Sequence, residues 1–291
     1  FQGTRAVDRM SGIEGARPYE ALVLDLEGTI CTISFVRDVL FPYASKRAEA
    51  FLRKNLTEPH IKEVIAKIRT DSEAEIAKGD REVRSIGIDD ETAIGDIVRN
   101  VKYWIKKDLK IPGMKELQGH IWKEGYASGE LTAELFPDVL PVLKQLLVPI
   151  YTYSSGSREA QEQFLRHTME GDAALYIRYK FSLADIGPKR EHDSYVKLAD
   201  AIGKPAQNIL FVTDIEEEAA AARTAGMRAM LMIRPGNLEL TQFAKENFEC
   251  VYNLAAVLTK EDIERCYSLR QTPESDLLRV AIKSYRTPQK K

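Results

Sequence analysis

From Ala21 to Leu26 every position is apolar except Asp25. A short continuous run of this kind, without polar alternation, predicts a parallel strand covered on both faces. The same texture returns at Val148–Tyr153, Ile209–Thr213 and Arg228–Ile233. Between these runs the apolar positions switch to helical spacing. Asp138 stands where it would cap a helix carrying Val139, Leu140, Val142, Leu143 and Leu146, with Pro141 in its first turn. A second helix is expected from Arg158 to about Met169, and a third over Ser194–Ile202, closed by Gly203. A fourth runs from Glu216 to Ala225 and ends at Gly226. Strands alternating with helices predict an α/β fold, a Rossmann-like parallel sheet with helices packed on it.

One long stretch breaks that alternation. Ile30–Tyr43 is apolar and uncharged until Arg37, which reads as a hinge leaving the sheet and then a short helix. From Ala44 to about Gly129 charges are dense, Gly and Pro are sparse, and no β-branched run occurs. Ile61, Val64, Ile65 and Ile68 keep helical spacing, as do Ile94, Ile97, Val98, Val101 and Ile105, while Leu117, Ile121 and Trp122 begin another stripe. Pro59, Gly87 and Pro112-Gly113 punctuate these stripes, so an all-helical insertion of about four helices is expected. The chain then divides into an α/β core over 19–34 and 136–260, a helical cap over 35–135 and a C-terminal extension over 261–291. Residues 1–18 read as a flexible N-terminus that begins with Phe1-Gln2-Gly3, a tag-like remnant. The end, Arg279–Lys291, has five basic residues and no acid and reads as a solvated tail.

Composition narrows the function without choosing it. With 291 residues, 44% hydrophobic and 30% charged, the chain fits one or two soluble domains with an ordinary core. A net charge of −2 gives no support to a generic nucleic-acid role. Cys31, Cys250 and Cys266 are odd in number and widely spaced, as free thiols of a reducing compartment are. His60, His120, His167 and His192 lack metal-ligand spacing. No apolar run reaches membrane-spanning length, and no signal-peptide pattern is visible.

Candidate chemistry collects where the strands end. Asp25, Ser154 and Asp214 each close or follow an apolar strand, which puts all three at the carboxyl edge, where open α/β sheets bind ligands. Lys189 lies in the loop Ile186-Gly-Pro-Lys-Arg190 before a helix. Two carboxylates, a hydroxyl with loop amides and an ammonium suit phosphoryl transfer. Asp25 and Asp214 offer hard oxygens for Mg²⁺, and Asp25 can also attack phosphorus. Ser154 and the amides after it can cradle phosphate oxygens, and Lys189 would neutralise their charge. Glu27 would share a face with Asp25 if the segment is extended, within reach of the leaving oxygen as general acid and later base. Taken singly, each residue has an ordinary explanation. Asp25 and Glu27 can be turn residues, Ser154, Ser155 and Asp214 helix caps, Lys189 a solvated side chain, Glu216 to Glu218 helix-dipole charges and Trp122 a core residue. The weight comes from four pieces in order, each in a strand–loop–helix setting.

Asp25-x-Glu27-Gly-Thr, Tyr153-Ser-Ser-Gly-Ser157, Gly187-Pro-Lys189 and Thr213-Asp-x-x-x-Glu218 together resemble the haloacid-dehalogenase superfamily, and within it the enolase-phosphatases, the acireductone synthases of methionine salvage. Glu at position 27, where most of that superfamily has Asp, points to this branch. So do Ile33–Tyr43, Leu117–Trp122 and Arg234-Pro-Gly-Asn237. The resemblance covers about residues 20 to 240. It implies Mg²⁺ held by the Asp25 side chain, the Glu27 backbone carbonyl and Asp214, with substrate phosphate contacts from Ser154, Ser155 and Lys189. It implies a phosphorylated 2,3-diketo-5-methylthiopentane as substrate, enolised and then dephosphorylated through an aspartyl-phosphate. It further implies a cytoplasmic monomer, with the nucleus as a second compartment, acting on a small molecule rather than on nucleic acid or membrane. Thr32, where the family usually has Pro, and Ser182, where it usually has Asp, depart from the pattern. A phosphatase of another small ester, or an inactive relative that binds a partner, are the alternatives.

Overall fold

A computed structural model describes residues 19–268 and 273–286. The N-terminal segment 1–18, with its tag-like start, and the last basic residues, 287–291, lie outside the described residues. The core is a six-stranded parallel sheet with strands β1 (Ala21–Leu24), β2 (Ile150–Ser154), β3 (Ile177–Ser182), β4 (Ile209–Thr213), β5 (Arg228–Met232) and β6 (Glu249–Val251). Its spatial order is β3-β2-β1-β4-β5-β6. β1 lies inside, paired with β2 and β4 in a register that sets Leu24 beside Thr152 and Val212. Its four residues are wholly buried, Leu22 and Leu24 in one apolar cluster and Ala21 and Val23 in another on the opposite face. Burial on both faces is why this strand reads as an unbroken apolar run.

The expected α/β fold with an inserted helical cap is what the chain adopts, and four details differ from expectation. β3 and β6 carry no continuous apolar run. They are the two edges of the sheet, and β3 exposes Arg178 and Tyr179. The hinge and short helix expected over Ile30–Tyr43 are instead a turn at Ile33–Phe35, a wide turn over Val36–Leu40 and a long helix, Phe41–Asn55. The helix after Asp138 stops at Leu143 and the one after Arg158 stops at Arg166, before Leu146 and Met169. The basic end is not wholly a solvated tail. Pro273–Arg286 is a helix, and its Leu278, Ala281 and Ile282 are buried in the cluster beneath the sheet.

The cap helices Phe41–Asn55, Pro59–Ala77, Asp90–Lys106 and Pro112–Ala127 surround a cluster of their own that includes Leu52, Ile68, Ile97, Trp104 and Leu117. Pro59 and Pro112 open their helices at the first position, where the missing N–H costs little. Asn100, fully buried, ties this unit together. Its amide donates to Ser72 Oγ (3.1 Å) and the Arg84 carbonyl (2.7 Å), and its oxygen accepts from the Arg84 N–H at 2.9 Å. Trp122 and Tyr43 pack against both the cap cluster and the sheet cluster and so form the seam between them. Trp122 Nε1 donates to the Leu40 carbonyl at 2.9 Å.

Candidate active site

After Leu24 the chain leaves the sheet and bends at once. The Ile30 and Cys31 amides donate back to the Leu26 carbonyl, and the Gly28 amide donates to that of Cys31. The segment through Asp25 and Glu27 is therefore a compact loop rather than the extended run expected from sequence. Gly28 has a φ of +75°, and a Cβ there would meet Asp214 Oδ2 at 2.2 Å. Only glycine lets this loop press against the carboxylate at the end of β4. Asn237 Nδ2 donates to the Gly28 carbonyl at 2.9 Å and Arg234 Nε to that of Thr29 at 3.2 Å. The stretch Arg234–Asn237, whose role sequence left open, thus holds the loop from behind. Arg234 is itself fixed by a buried two-point pair with Asp138, at 2.8 and 2.9 Å. Asp138 makes no side-chain cap bond to its helix and accepts instead from Arg234 and the Leu254 amide.

Asp25, Ser154, Lys189 and Asp214 converge at the carboxyl edge, each buried. Lys189 Nζ lies 2.7 Å from Asp25 Oδ1 and 2.7 Å from Glu218 Oε2. Its loop is anchored where Tyr195 donates to the Lys189 carbonyl (2.7 Å) and Tyr153 to that of Gly187 (2.8 Å). The Leu26 amide donates to Asp25 Oδ1 at 2.8 Å. Thr213 Oγ1 lies 3.1 Å from Asp25 Oδ2 and 2.9 Å from Glu218 Oε2 and, with one proton, serves one of them at a time. Glu218 is the residue that sequence reasoning set aside as a helix-dipole charge. It sits five residues beyond Thr213, on the first turn of Glu216–Thr224, facing inward. Its position in Thr213-Asp-x-x-x-Glu218 was the available signal. Asp214 does not cap that helix, whose first flanking residue is Ile215. Ser154 Oγ accepts from the Gly156 amide at 3.2 Å, while Ser155 is exposed in the cleft-facing loop and Ser157 caps the next helix.

The charges do not balance. Burial pushes the Asp214 carboxyl up to about 7, and the Asp25 charge pushes in the same direction. Burial and Asp25 likewise raise Glu218. Burial would lower Lys189, but Asp25 and Glu218 outweigh it and hold the ammonium above its ordinary pKa. Glu27 is raised by burial first and by Asp25 second, so it keeps a proton to higher pH than a free glutamate. Three buried carboxylates around one ammonium leave surplus negative charge, a setting that favours a cation. Among the described residues no three His, Cys, Asp or Glu side chains converge as ligands. Asp25 and Asp214 are buried hard-oxygen donors at this edge, of the kind that fits Mg²⁺.

Thr32 and Ser182 have local explanations. Thr32 Oγ1 accepts from the Phe35 amide at 3.2 Å and caps the first turn into the cap. Ser182 donates through its amide (2.9 Å) and hydroxyl (2.7 Å) to Asp185 Oδ2, while Arg158 donates to the other oxygen, Oδ1, at 2.6 Å. Cys31 and Cys250 are free thiols. His60 and His120 lie with ring centroids 5.1 Å apart on the cap surface. No helix among the described residues is long and apolar enough to cross a membrane.

The haloacid dehalogenase-like hydrolase profile matches residues 19–226. Enolase-phosphatase E1 of Caenorhabditis briggsae is 42% identical over 243 residues, covering 82% of this chain and 97% of that relative. A Ricinus communis protein described as a probable bifunctional methylthioribulose-1-phosphate dehydratase/enolase-phosphatase E1 is 38% identical over 244 residues, covering 81% of this chain and 46% of its own length. Among solved structures, the Unknown transcript 4 protein of Saccharomyces cerevisiae superposes with a TM-score of 0.66 at 26% identity, covering 81% of this chain and 98% of that one. The matched span contains every residue gathered at the sheet edge, and the chain belongs to the haloacid dehalogenase-like hydrolases, within them to the enolase-phosphatase E1 family.

Proposed function

We propose that this protein is a Mg²⁺-dependent enolase-phosphatase that converts 2,3-diketo-5-methylthiopentyl 1-phosphate to an acireductone and inorganic phosphate. One observation carries most of the reading: an ammonium 2.7 Å from the Asp25 carboxylate, at a sheet edge that also bears Ser154 and Asp214. In this reading an Asp25 oxygen attacks phosphorus as the ester P–O bond breaks. Glu27, whose proton is retained by its buried setting, delivers it to the departing oxygen. Glu27 then takes a proton from water. The resulting hydroxide attacks the aspartyl-phosphate, releases phosphate and restores Asp25. Ser154, Ser155 and Lys189 hold the phosphoryl oxygens, and Glu218 keeps Lys189 aimed at them. Bound Mg²⁺ would supply charge neutralisation at phosphate and Lewis-acid support for the enolised diketone.

The names of the relatives support an enolase and phosphatase reaction, and a Glu27 carboxyl raised by burial and by the Asp25 charge supports the acid–base role. Phosphate release from the diketone ester, measured with and without added Mg²⁺ beside an aryl phosphate, tests the proposal. Turnover should need Mg²⁺ and favour the diketone. Full turnover in a thoroughly chelated sample contradicts the metal assignment, and turnover of the aryl ester alone contradicts the substrate. The same reading keeps the expectations of a monomer and of a cytoplasmic location, which sedimentation and cell fractionation check.

A further inference from the structure

Two side chains hold carbonyls of the loop that follows β2. Lys115 of the cap, itself exposed, donates to the Ser155 carbonyl at 3.1 Å. The other is Gln161 of the core, only 2% exposed. Gln161 stands in the first turns of the helix Arg158–Arg166, where its own amide N–H donates to the Ser157 carbonyl at 3.0 Å. A helical side chain leans toward the start of its helix, so this one reaches back to the loop. Its Nε2 donates to the Gly156 carbonyl at 3.0 Å and to the Phe181 carbonyl of β3 at 2.8 Å. Its Oε1 accepts from Thr152 Oγ1 at 2.6 Å. Only the NH₂ end of an amide can serve two carbonyls, which fixes the way this side chain is turned. Thr152, fully buried, lies two residues before Ser154 on β2 and shares its face of the strand. One amide thus ties β2, β3 and the loop together.

Gly156 is where this tie meets the site. Its carbonyl is held by Gln161, and its amide donates to Ser154 Oγ at 3.2 Å. The residue sits between the two side chains: a Cβ there would lie 3.6 Å from Ser154 Oγ and 3.8 Å from Gln161 Cγ. Ser154 Oγ therefore accepts from the loop, and its own proton has no acceptor among the described residues. That leaves the hydroxyl as a donor, the polarity that an ionised phosphoryl oxygen requires. We infer that Gln161 is the positioning residue of the phosphate loop: by holding Gly156 it fixes the Ser154 hydroxyl as a donor toward a phosphoryl oxygen. This rests on the reading above that Ser154 holds phosphate, and it adds the residue that sets the direction of that contact. Gln161 itself touches no substrate. A donor oriented in advance needs no rearrangement when phosphate arrives, so its loss falls on phosphate affinity.

The test reads the inhibition constant of inorganic phosphate against turnover of an aryl phosphate. Gln161→Leu, which keeps the bulk and removes the amide, should raise that constant by about 10- to 100-fold, the usual worth of a hydrogen bond to a charged group. Thr152→Val, which frees the amide to turn, should raise it by about three- to tenfold. In a Ser154→Ala background, Gln161→Leu should add less than about threefold, because the two residues act as one unit. Asn100→Ala, which weakens the cap, should leave the constant at the parental value and so separates lost stability from lost position. A Gln161→Leu protein with a lower melting temperature and an unchanged constant would make Gln161 a core residue only. Additive losses with Ser154→Ala would place its effect away from that hydroxyl. Either result overturns the inference. Should Gln161→Leu fail to fold, Thr152→Val decides, and an unchanged constant in that variant overturns the inference equally. If Ser154→Ala itself leaves phosphate inhibition at the parental value, the phosphate reading of Ser154 fails and takes the inference with it. If Ser154→Ala weakens inhibition and Gln161→Leu does not, the inference fails and the reading stands.

Discussion

Asn100 in the cap and Asp214 at the sheet edge are both buried polar side chains, and they are treated in opposite ways. Asn100 has each of its amide and oxygen functions met, by Ser72 and both backbone groups of Arg84. Asp214 is pressed against Gly28, makes no ion pair among the described residues, and has its carboxyl pushed up to about 7 by burial. The first arrangement is what a structural polar group requires, since an unmet one costs the full desolvation penalty. The second stores unfavourable energy at one spot, and buried groups with strongly shifted pKa values cluster where chemistry is done. The difference lies in charge: the neutral amide of Asn100 is met by neutral partners, whereas Asp214 is a carboxyl buried beside the Asp25 charge.

Substitutions that remove charge from the sheet edge should damage activity and spare stability, and those in the cap should do the reverse. The largest effect is expected from Asp25→Asn, which should lower turnover by on the order of a thousandfold or more, as loss of a nucleophile does. Because it relieves crowding among carboxylates, its melting temperature should equal or exceed that of the parent; near-parental turnover would remove Asp25 from the nucleophile role. Next, Glu27→Gln should slow the diketone ester by roughly a hundredfold, the usual worth of general acid–base catalysis. The loss should shrink for an aryl ester with a good leaving group, and Mg²⁺ affinity should hold. Equal losses for both esters would show that Glu27 is not the proton donor.

In the cap, Asn100→Ala should cost about 1–3 kcal/mol in denaturant titration by orphaning the Arg84 backbone groups. Its kcat should match the parent, and a changed kcat with parental stability would erase the contrast drawn here. The smallest effect is expected from Thr32→Ala, which removes one cap bond and should cost about 1 kcal/mol with activity retained.

The parts legible in the sequence were those that are buried on two sides. β1, β2, β4 and β5 are interior strands and each announced itself as an apolar run, whereas the edges β3 and β6 have one neighbour and solvent to face. Interior strands of a parallel sheet lose the alternation that edge strands keep. The nearness of Asp25, Ser154 and Asp214 was legible because strand ends in such a sheet share one edge. Glu218 was not, because an acidic residue in a first helical turn has a sufficient local reason to be there. Only the placement of Lys189 shows that it faces inward. Asp138 was misread for the same reason. Its local reason, capping, was available, while its actual partner, Arg234, lies far along the chain.

The placement of β1 has a consequence for how the chain assembles. Leu22 pairs with Ile150 on one side and Leu210 on the other, so the strand that carries Asp25 has no partner until most of the chain exists. The cap cluster draws only on residues between Ala44 and Ile121, a contiguous stretch of local helices. Local helical contacts form quickly, and distant strand pairings wait on loop closure. During synthesis the cap can gather its core first, while β1 waits with both hydrogen-bonding edges open and four apolar side chains unshielded. The strand that leads into Asp25 is then the segment most exposed to mispairing with another chain. Aggregation during refolding should be suppressed by whatever shields Ala21–Leu24 before β2 and β4 arrive.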